Sequence, residues 1–157
     1  MIGKLEHDKI EEVLQQEVVG RIGCHADGET YVVPVSYAYD GKYVYVRSGP
    51  GKKLDMMRKN PFVCFQVDTM RNMADWKSVI AFGYFEEITS AVERDAAVKI
   101  LLKRILPMVS SETTHLSADW PFQPKDTTEV KGIFFRIRLS EKSGRFEKNY
   151  ENSGHII

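Results

Sequence analysis

The sequence predicts a mainly β fold: an antiparallel barrel, closed or nearly closed, with a few flanking helices. Three observations carry this. Six short runs rich in β-branched and aromatic residues lie at 18–26, 31–39, 43–47, 62–68, 76–89 and 132–139. Asp27-Gly28 and Asp40-Gly41 separate the first three of them, and Asp-Gly between such runs is a strong hairpin signal. The last run alternates cleanly, with Ile133, Phe135, Ile137 and Leu139 on one face and Phe134, Arg136 and Arg138 on the other. Many short antiparallel strands favour closure, because closure removes unpaired edges.

Taken in order, residues 8–17 predict an amphipathic helix: Asp8 and Glu11 have capping-box spacing, and Ile10, Val13 and Leu14 share one face. The strands to Arg47 follow. Ser48-Gly49-Pro50-Gly51 then breaks the pattern, and a helix is expected through Asn60, packed by Leu54 and Met57 and stopped by Asn60-Pro61. Strand 62–68 leads into a Met-containing loop at 69–75, and the strand from Trp76 is expected to bend at Gly83. Residues 90–106 predict the strongest helix. Glu93 and Asp95 lie early and Lys99, Lys103 and Arg104 late, matching the helix dipole, and Val92, Ala96, Ile100 and Leu101 form an apolar stripe. Pro107 closes it. Residues 108–129 read as a long irregular excursion, a length that is usually functional or partner-contacting, with Trp120 and Phe122 either pinning the loop or forming a lid.

At 157 residues one domain is expected, 1–157, with a core at about 7–145 and a C-terminal tail at 146–157. Lysine plus arginine equals aspartate plus glutamate at 22 each, so no global field draws the chain to nucleic acid or to an anionic membrane. Any anion must be bound locally. Cys24 and Cys64 lack metal-site or disulfide spacing and read as reduced core residues. The start of the chain has no apolar leader and no stretch is long enough to span a bilayer, so a cytoplasmic location is expected.

Chemistry concentrates between Arg47 and Lys53. A strand end, two glycines around a proline and a helix start follow one another there, with Arg47, Lys52 and Lys53 as cations and Ser48 as a hydroxyl. Glycines let the backbone approach an anion, and the first N–H groups of a helix point toward one. On the residues alone, a phosphate cradle and a solvated turn opening a basic helix stand about even.

A set of runs in fixed order resembles one family. These are Gly20-Arg21-Ile22-Gly23, Tyr31 to Tyr37, Val46 to Leu54, Arg58 to Phe65, and Trp76-Lys77-Ser78-Val79 with Gly83. Over about residues 7–145 the chain is similar to the pyridoxamine 5'-phosphate oxidase-like flavin-binding proteins, on their nitroimidazole-resistance-type branch. The resemblance implies a six-stranded Greek-key split barrel that dimerises, with two FMN sites across the interface. By position it implies that Lys52 and Lys53 hold the FMN phosphate, with Ser48 before them and Arg47 on the same strand end. Pro34, Val35 and Ser36 run beside the isoalloxazine ring. It also implies that Trp76, Ser78 and Val79 contribute to the ring and ribityl side, often from the second subunit. Gln66 alternates with Phe62 and Cys64, and reads equally as reaching toward the flavin or as a surface glutamine. A histidine common near Arg47 in that branch is absent. Gly144-Arg145 resembles the C-terminal signature and is read as a turn or dimer contact. The implied activity is flavin hydride transfer to a small-molecule acceptor. A flavin-binding redox or stress sensor without turnover is the alternative, and relatives of such a barrel also take deazaflavin or haem. The residues name no acid or base, so catalytic residues are left unassigned.

Overall fold

The chain runs β1 (Ile2–Lys4), α1 (His7–Gln16), β2 (Val19–Ala26), β3 (Glu29–Ser36), β4 (Ala38–Tyr39), β5 (Tyr43–Ser48), α2 (Lys52–Lys59), β6 (Phe62–Asn72), β7 (Asp75–Glu87), α3 (Ala91–Ile105) and β8 (Ile133–Lys148). This computed structural model describes residues 1–105 and 130–149. All strands are antiparallel, in the order β3-β2-β6-β7-β8-β5-β4, with β1 added to β8. β3 and β5, near the two ends of this path, touch without forming a ladder. The result is a mainly antiparallel β fold with flanking helices, consistent with a split barrel.

Turn chemistry sets the open edge. Asp27 and Gly28 take φ of 53° and 76°, and two successive positive φ values give the type I′ turn that matches strand twist. Tyr37 N then donates to Val18 O at 3.0 Å. Alternation along the ladder therefore turns the N–H groups of Val33 and Val35 toward β2 and leaves Pro34 at an outward position, where its missing donor costs no ladder bond. In the second Asp-Gly turn, Asp40 Oδ1 accepts from Lys42 N and Tyr43 N at 2.9 and 2.7 Å.

Two apolar clusters hold the sheet. The larger lies inside the barrel, where Ile22, Val46, Phe65, Val67, Val79 and Phe135 meet Leu14 from α1 and Leu54 and Met57 from α2. The smaller lies outside, where Ala97, Val98 and Leu101 of α3 cover Ala38, Tyr45 and Phe134. Tyr37 joins both levels of organisation: it is buried in the barrel, and its hydroxyl donates to Leu14 O at 2.7 Å, tying α1 to the sheet.

Several expectations are corrected. The sheet has eight strands rather than six, because Tyr37 interrupts the predicted 31–39 run and β1 pairs with β8. The predicted 69–75 loop is the strand-ending hairpin of β6 and β7, with Asn72 opposite Asp75. β8 continues to Lys148, so residues 146–148 of the predicted tail belong to the sheet, and Gly144-Arg145 is mid-strand rather than a turn. Their polar sequence is stabilised by pairing on both sides, with β7 and with β1. α1 begins at His7 behind Glu6 with no side-chain cap, ahead of the expected Asp8, and the Glu11 carboxylate is engaged by Tyr39 and Lys142. On α3, Val92 and Ala96 face solvent. The buried stripe is shifted to Ala97, Val98 and Leu101, in line with Arg94, whose guanidinium lies 4.9 Å from the Phe134 ring. Trp120 and Phe122 lie outside the described residues.

The expected bend at Gly83 is present. Phe82 opposes Glu141 and Gly83 opposes Leu139, so Ser140 is an extra residue, a bulge whose hydroxyl donates to Phe82 O at 3.2 Å. A Cβ on Gly83 would collide with Arg138 O and lie 2.9 Å from Ile137 Cγ2. Backbone cannot yield as a side chain can, so Gly83→Ala is expected to destabilise the protein by about 1–3 kcal/mol in urea unfolding.

Candidate functional site

β5 delivers Arg47 and Ser48 to the mouth of α2. Ser48 is the one buried polar side chain in the described core, 5% exposed, and its hydroxyl donates to Gly49 O at 2.7 Å, closing the strand-to-helix turn. A Cβ on Gly49 or Gly51 would meet nothing within 4 Å. The protein's own packing does not require glycine at either position, and the backbone there is open to an approaching group.

The three cations of this segment differ. Arg47 is half-buried, and its Nε donates to Lys131 O at 2.6 Å, so it clasps the chain entering β8. Lys52 is exposed, ion-paired with Glu29, and sits 5.1 Å from the centre of the Tyr31 ring; its hydrogen bond to Glu29 pushes its pKa up. Lys53 is half-buried, and among the described residues it has no hydrogen-bond or ion-pair partner. Burial alone pushes its pKa down. A half-buried ammonium without a counter-charge, beside an open backbone turn and the start of a helix, suits an anionic group.

The remaining predicted residues gather elsewhere. Register aligns Pro34 with Arg21, Arg21 with Gln66, and Gln66 with Ile80, across β3, β2, β6 and β7. Pro34, Ser36, Gln66, Trp76 and Ser78 share the outer face of these strands, whereas Val35 and Val79 point into the barrel core and can offer a ligand only their backbone. Gln66 Nε2 donates to Ser78 Oγ at 3.2 Å and to Asp68 Oδ1 at 3.2 Å, while Arg21 pairs with Asp68 at 2.7 Å. Trp76 Nε1 donates to Glu147 Oε2 at 3.0 Å.

Thus the predicted set divides in two. Ser48 pairs with Ile133 and Ser78 with Arg145, so 12 residues of β8 (133 to 145), roughly 40 Å of extended strand, separate the cradle from the Trp76 segment. β3 lies between: its start meets Lys52 through Glu29 and Tyr31, and Pro34 is three residues, roughly 10 Å, further on.

The profile of the pyridoxamine 5'-phosphate oxidase family matches residues 6–146. The chain belongs to that family. Among proteins similar to it, a FAD-binding protein from Mesorhizobium loti is 34% identical, with a TM-score of 0.72 over 94% of this chain and 99% of that one. An uncharacterized protein from Rhizobium meliloti is 29% identical over 90% of this chain and 92% of its own. A candidate 5-nitroimidazole antibiotic resistance protein from Bacteroides thetaiotaomicron, 18% identical, shares the fold with a TM-score of 0.70 over 93% of this chain and 87% of that one.

Sequence reasoning missed three participants. Glu29 supplies the counter-charge of Lys52, and Arg21 with Asp68 fixes Gln66. Alternation places each on a face, but only the cross-strand register brings them together.

The arrangement at Lys53 implies a cost to the empty protein. Lys53→Met, which keeps the length and removes the unpaired charge, is expected to raise stability by about 0.5–2 kcal/mol in thermal unfolding while abolishing anion binding at the turn. Unchanged or lower stability would show that Lys53 is already satisfied.

Proposed function

We propose that the protein is an FMN-binding oxidoreductase that works as a homodimer, reducing a small-molecule acceptor. The observation that carries this reading is Lys53, a half-buried cation with no partner among the described residues, beside the open turn Gly49-Pro50-Gly51 that starts α2. Family membership supports a flavin as the anion it serves. Lys53 and Lys52 would neutralise the flavin phosphate, with the N–H groups at the start of α2 pointing to it. The outward backbone of β3 around Pro34 and Ser36 would run along the ring. When bound, flavin supplies a hydride acceptor and donor at N5, and the protein orients and shields it.

Trp76, Ser78 and Val79 lie at the opposite end of β8 from the cradle of their own chain, which supports a site completed by a second copy. Among the described residues no helix is long and apolar enough to cross a membrane. The two cysteines are free, in keeping with a reducing cytoplasm.

FAD is a second cofactor reading, favoured by the 34% identical Mesorhizobium loti protein, which is described as FAD-binding. The open space around Gly49 and Gly51 would admit a diphosphate. Identification of the flavin released from purified protein separates the two, and a colourless protein that takes up neither FMN nor FAD contradicts both. Oxidation of NAD(P)H coupled to acceptor reduction tests the activity.

The Lys52→Ala, Lys53→Ala double variant is expected to weaken FMN more than tenfold while leaving riboflavin nearly unchanged, read by flavin fluorescence titration (about 1.4 kcal/mol per tenfold). Equal losses would place the phosphate elsewhere. FMN affinity should also fall as pH rises, beginning below the ordinary lysine value of about 10.5. The empty protein holds Lys53 at a lowered pKa, and the deprotonated amine no longer attracts phosphate.

A further inference from the structure

The two lysines that open α2 are differently committed. Lys53 is half-buried and has no hydrogen-bond or ion-pair partner among the described residues. Lys52 lies against β3 instead, paired with the Glu29 carboxylate and 5.1 Å from the centre of the Tyr31 ring, which adds a second attraction to the same strand. The Glu29 carboxylate makes no other hydrogen bond or ion pair among the described residues.

Both side chains of this pair are open to water, 48% exposed for Lys52 and 59% for Glu29. A pair so exposed is held weakly, and a more highly charged acceptor can take the lysine from it. A carboxylate carries one negative charge, whereas a phosphate monoester carries roughly 1.5 to 2 near pH 7.

The hairpin of β2 and β3 does not depend on this pair for its position. Lys59, at the far end of α2, pairs with Asp27 in the hairpin turn at 2.7 Å, and Asn60 Nδ2 donates to His25 O at 2.8 Å. Lys52 can therefore leave Glu29 while the hairpin stays docked, and the exchange is confined to one side chain.

We propose that Glu29 is a built-in competitor of the anion at the cradle: it holds Lys52 in the empty protein, and a phosphate seated at Lys53 and the Gly49-Pro50-Gly51 turn must draw Lys52 away from it. The identity of that anion rests on the flavin reading above. The consequence is selectivity by charge. A phosphate replaces the pair that it breaks, while riboflavin, having no anion, leaves Lys52 with Glu29. Glu29 thus lowers the affinity for FMN and not for riboflavin.

Fluorescence titration of the full-length protein with FMN and with riboflavin tests this in Glu29→Gln, which keeps the size of the side chain and removes its charge. FMN should bind at least about threefold more tightly, and riboflavin within about twofold of the unsubstituted protein. In a Lys52→Ala background the same substitution should change FMN affinity by less than about twofold, because no cation is left to contest. Asp27→Asn, which breaks the other ion pair of the hairpin, should also leave FMN within about twofold. Unchanged or weaker FMN binding in Glu29→Gln would overturn the proposal, by making Glu29 a support for Lys52. So would an undiminished gain without Lys52, which would mean direct repulsion of phosphate, or an equal gain in Asp27→Asn, which would mean a loosened hairpin. A protein that binds FMN more tightly than riboflavin but is indifferent to Glu29→Gln defeats this inference and leaves the flavin reading intact. One that binds neither flavin, with or without Glu29→Gln, defeats both.

Discussion

The ladder between β7 and β8 is the constraint on which the rest depends. It runs from Asp75 opposite Lys148 to Glu87 opposite Phe135, broken only by the bulge at Ser140. β8 also pairs with β5 over one half and with β1 over the other, so this strand fixes where both ends of the barrel lie. The bulge lets so long a pair bend around the core, and Gly83 admits the Arg138 carbonyl that any side chain would displace.

From that ladder follows the division of the candidate site. The turn into α2 sits where β8 begins, and the Trp76 segment sits where it ends. Each half is incomplete in a different way. The cradle has an unpaired cation and open backbone but little surface to hold a ring. The outer face has an ordered polar group, Arg21–Asp68–Gln66–Ser78, but none of these residues bonds to the cradle's cations among the described residues. In the proposed homodimer, a two-fold axis makes any cradle-to-outer-face site occur twice, at equivalent places. The pairing of Lys52 with Glu29 and the clasp of Arg47 on Lys131 O suit residues that shape the turn as well as carry charge.

Much of the fold was legible because local chemistry and tertiary demand agree. Asp27-Gly28 carries the two positive φ values its turn requires, and Ile10, Val13 and Leu14 are buried at the spacing expected of α1. Where they diverge, the sequence misleads. Residues 140–148 show no apolar alternation, and the chain from 146 reads as a tail, yet pairing with β7 and β1 makes them strand. Glu11 has capping spacing, but Lys142 and Tyr39, distant in sequence, claim its carboxylate. On α3 the phase of the stripe turns on Arg94, whose guanidinium covers Phe134 and donates to Val130 O, a role no propensity assigns to an arginine. The site was legible as a set of residue types. Its division between two ends of the barrel was not, because it follows from the register of β8 and the unexpected length of that strand.

The central claim, a flavin held between the cradle of one chain and the Trp76 segment of another, is tested most directly by mixing defects. One chain carries Lys53→Ala and the other Ser78→Trp, each chosen to abolish flavin binding in its own homodimer. In the mixed dimer, a shared site pairs the intact cradle of the second chain with the intact outer face of the first. One flavin per mixed dimer is therefore predicted. A mixed dimer that binds no flavin would contradict the account, because it would mean that both halves of each site come from the same chain.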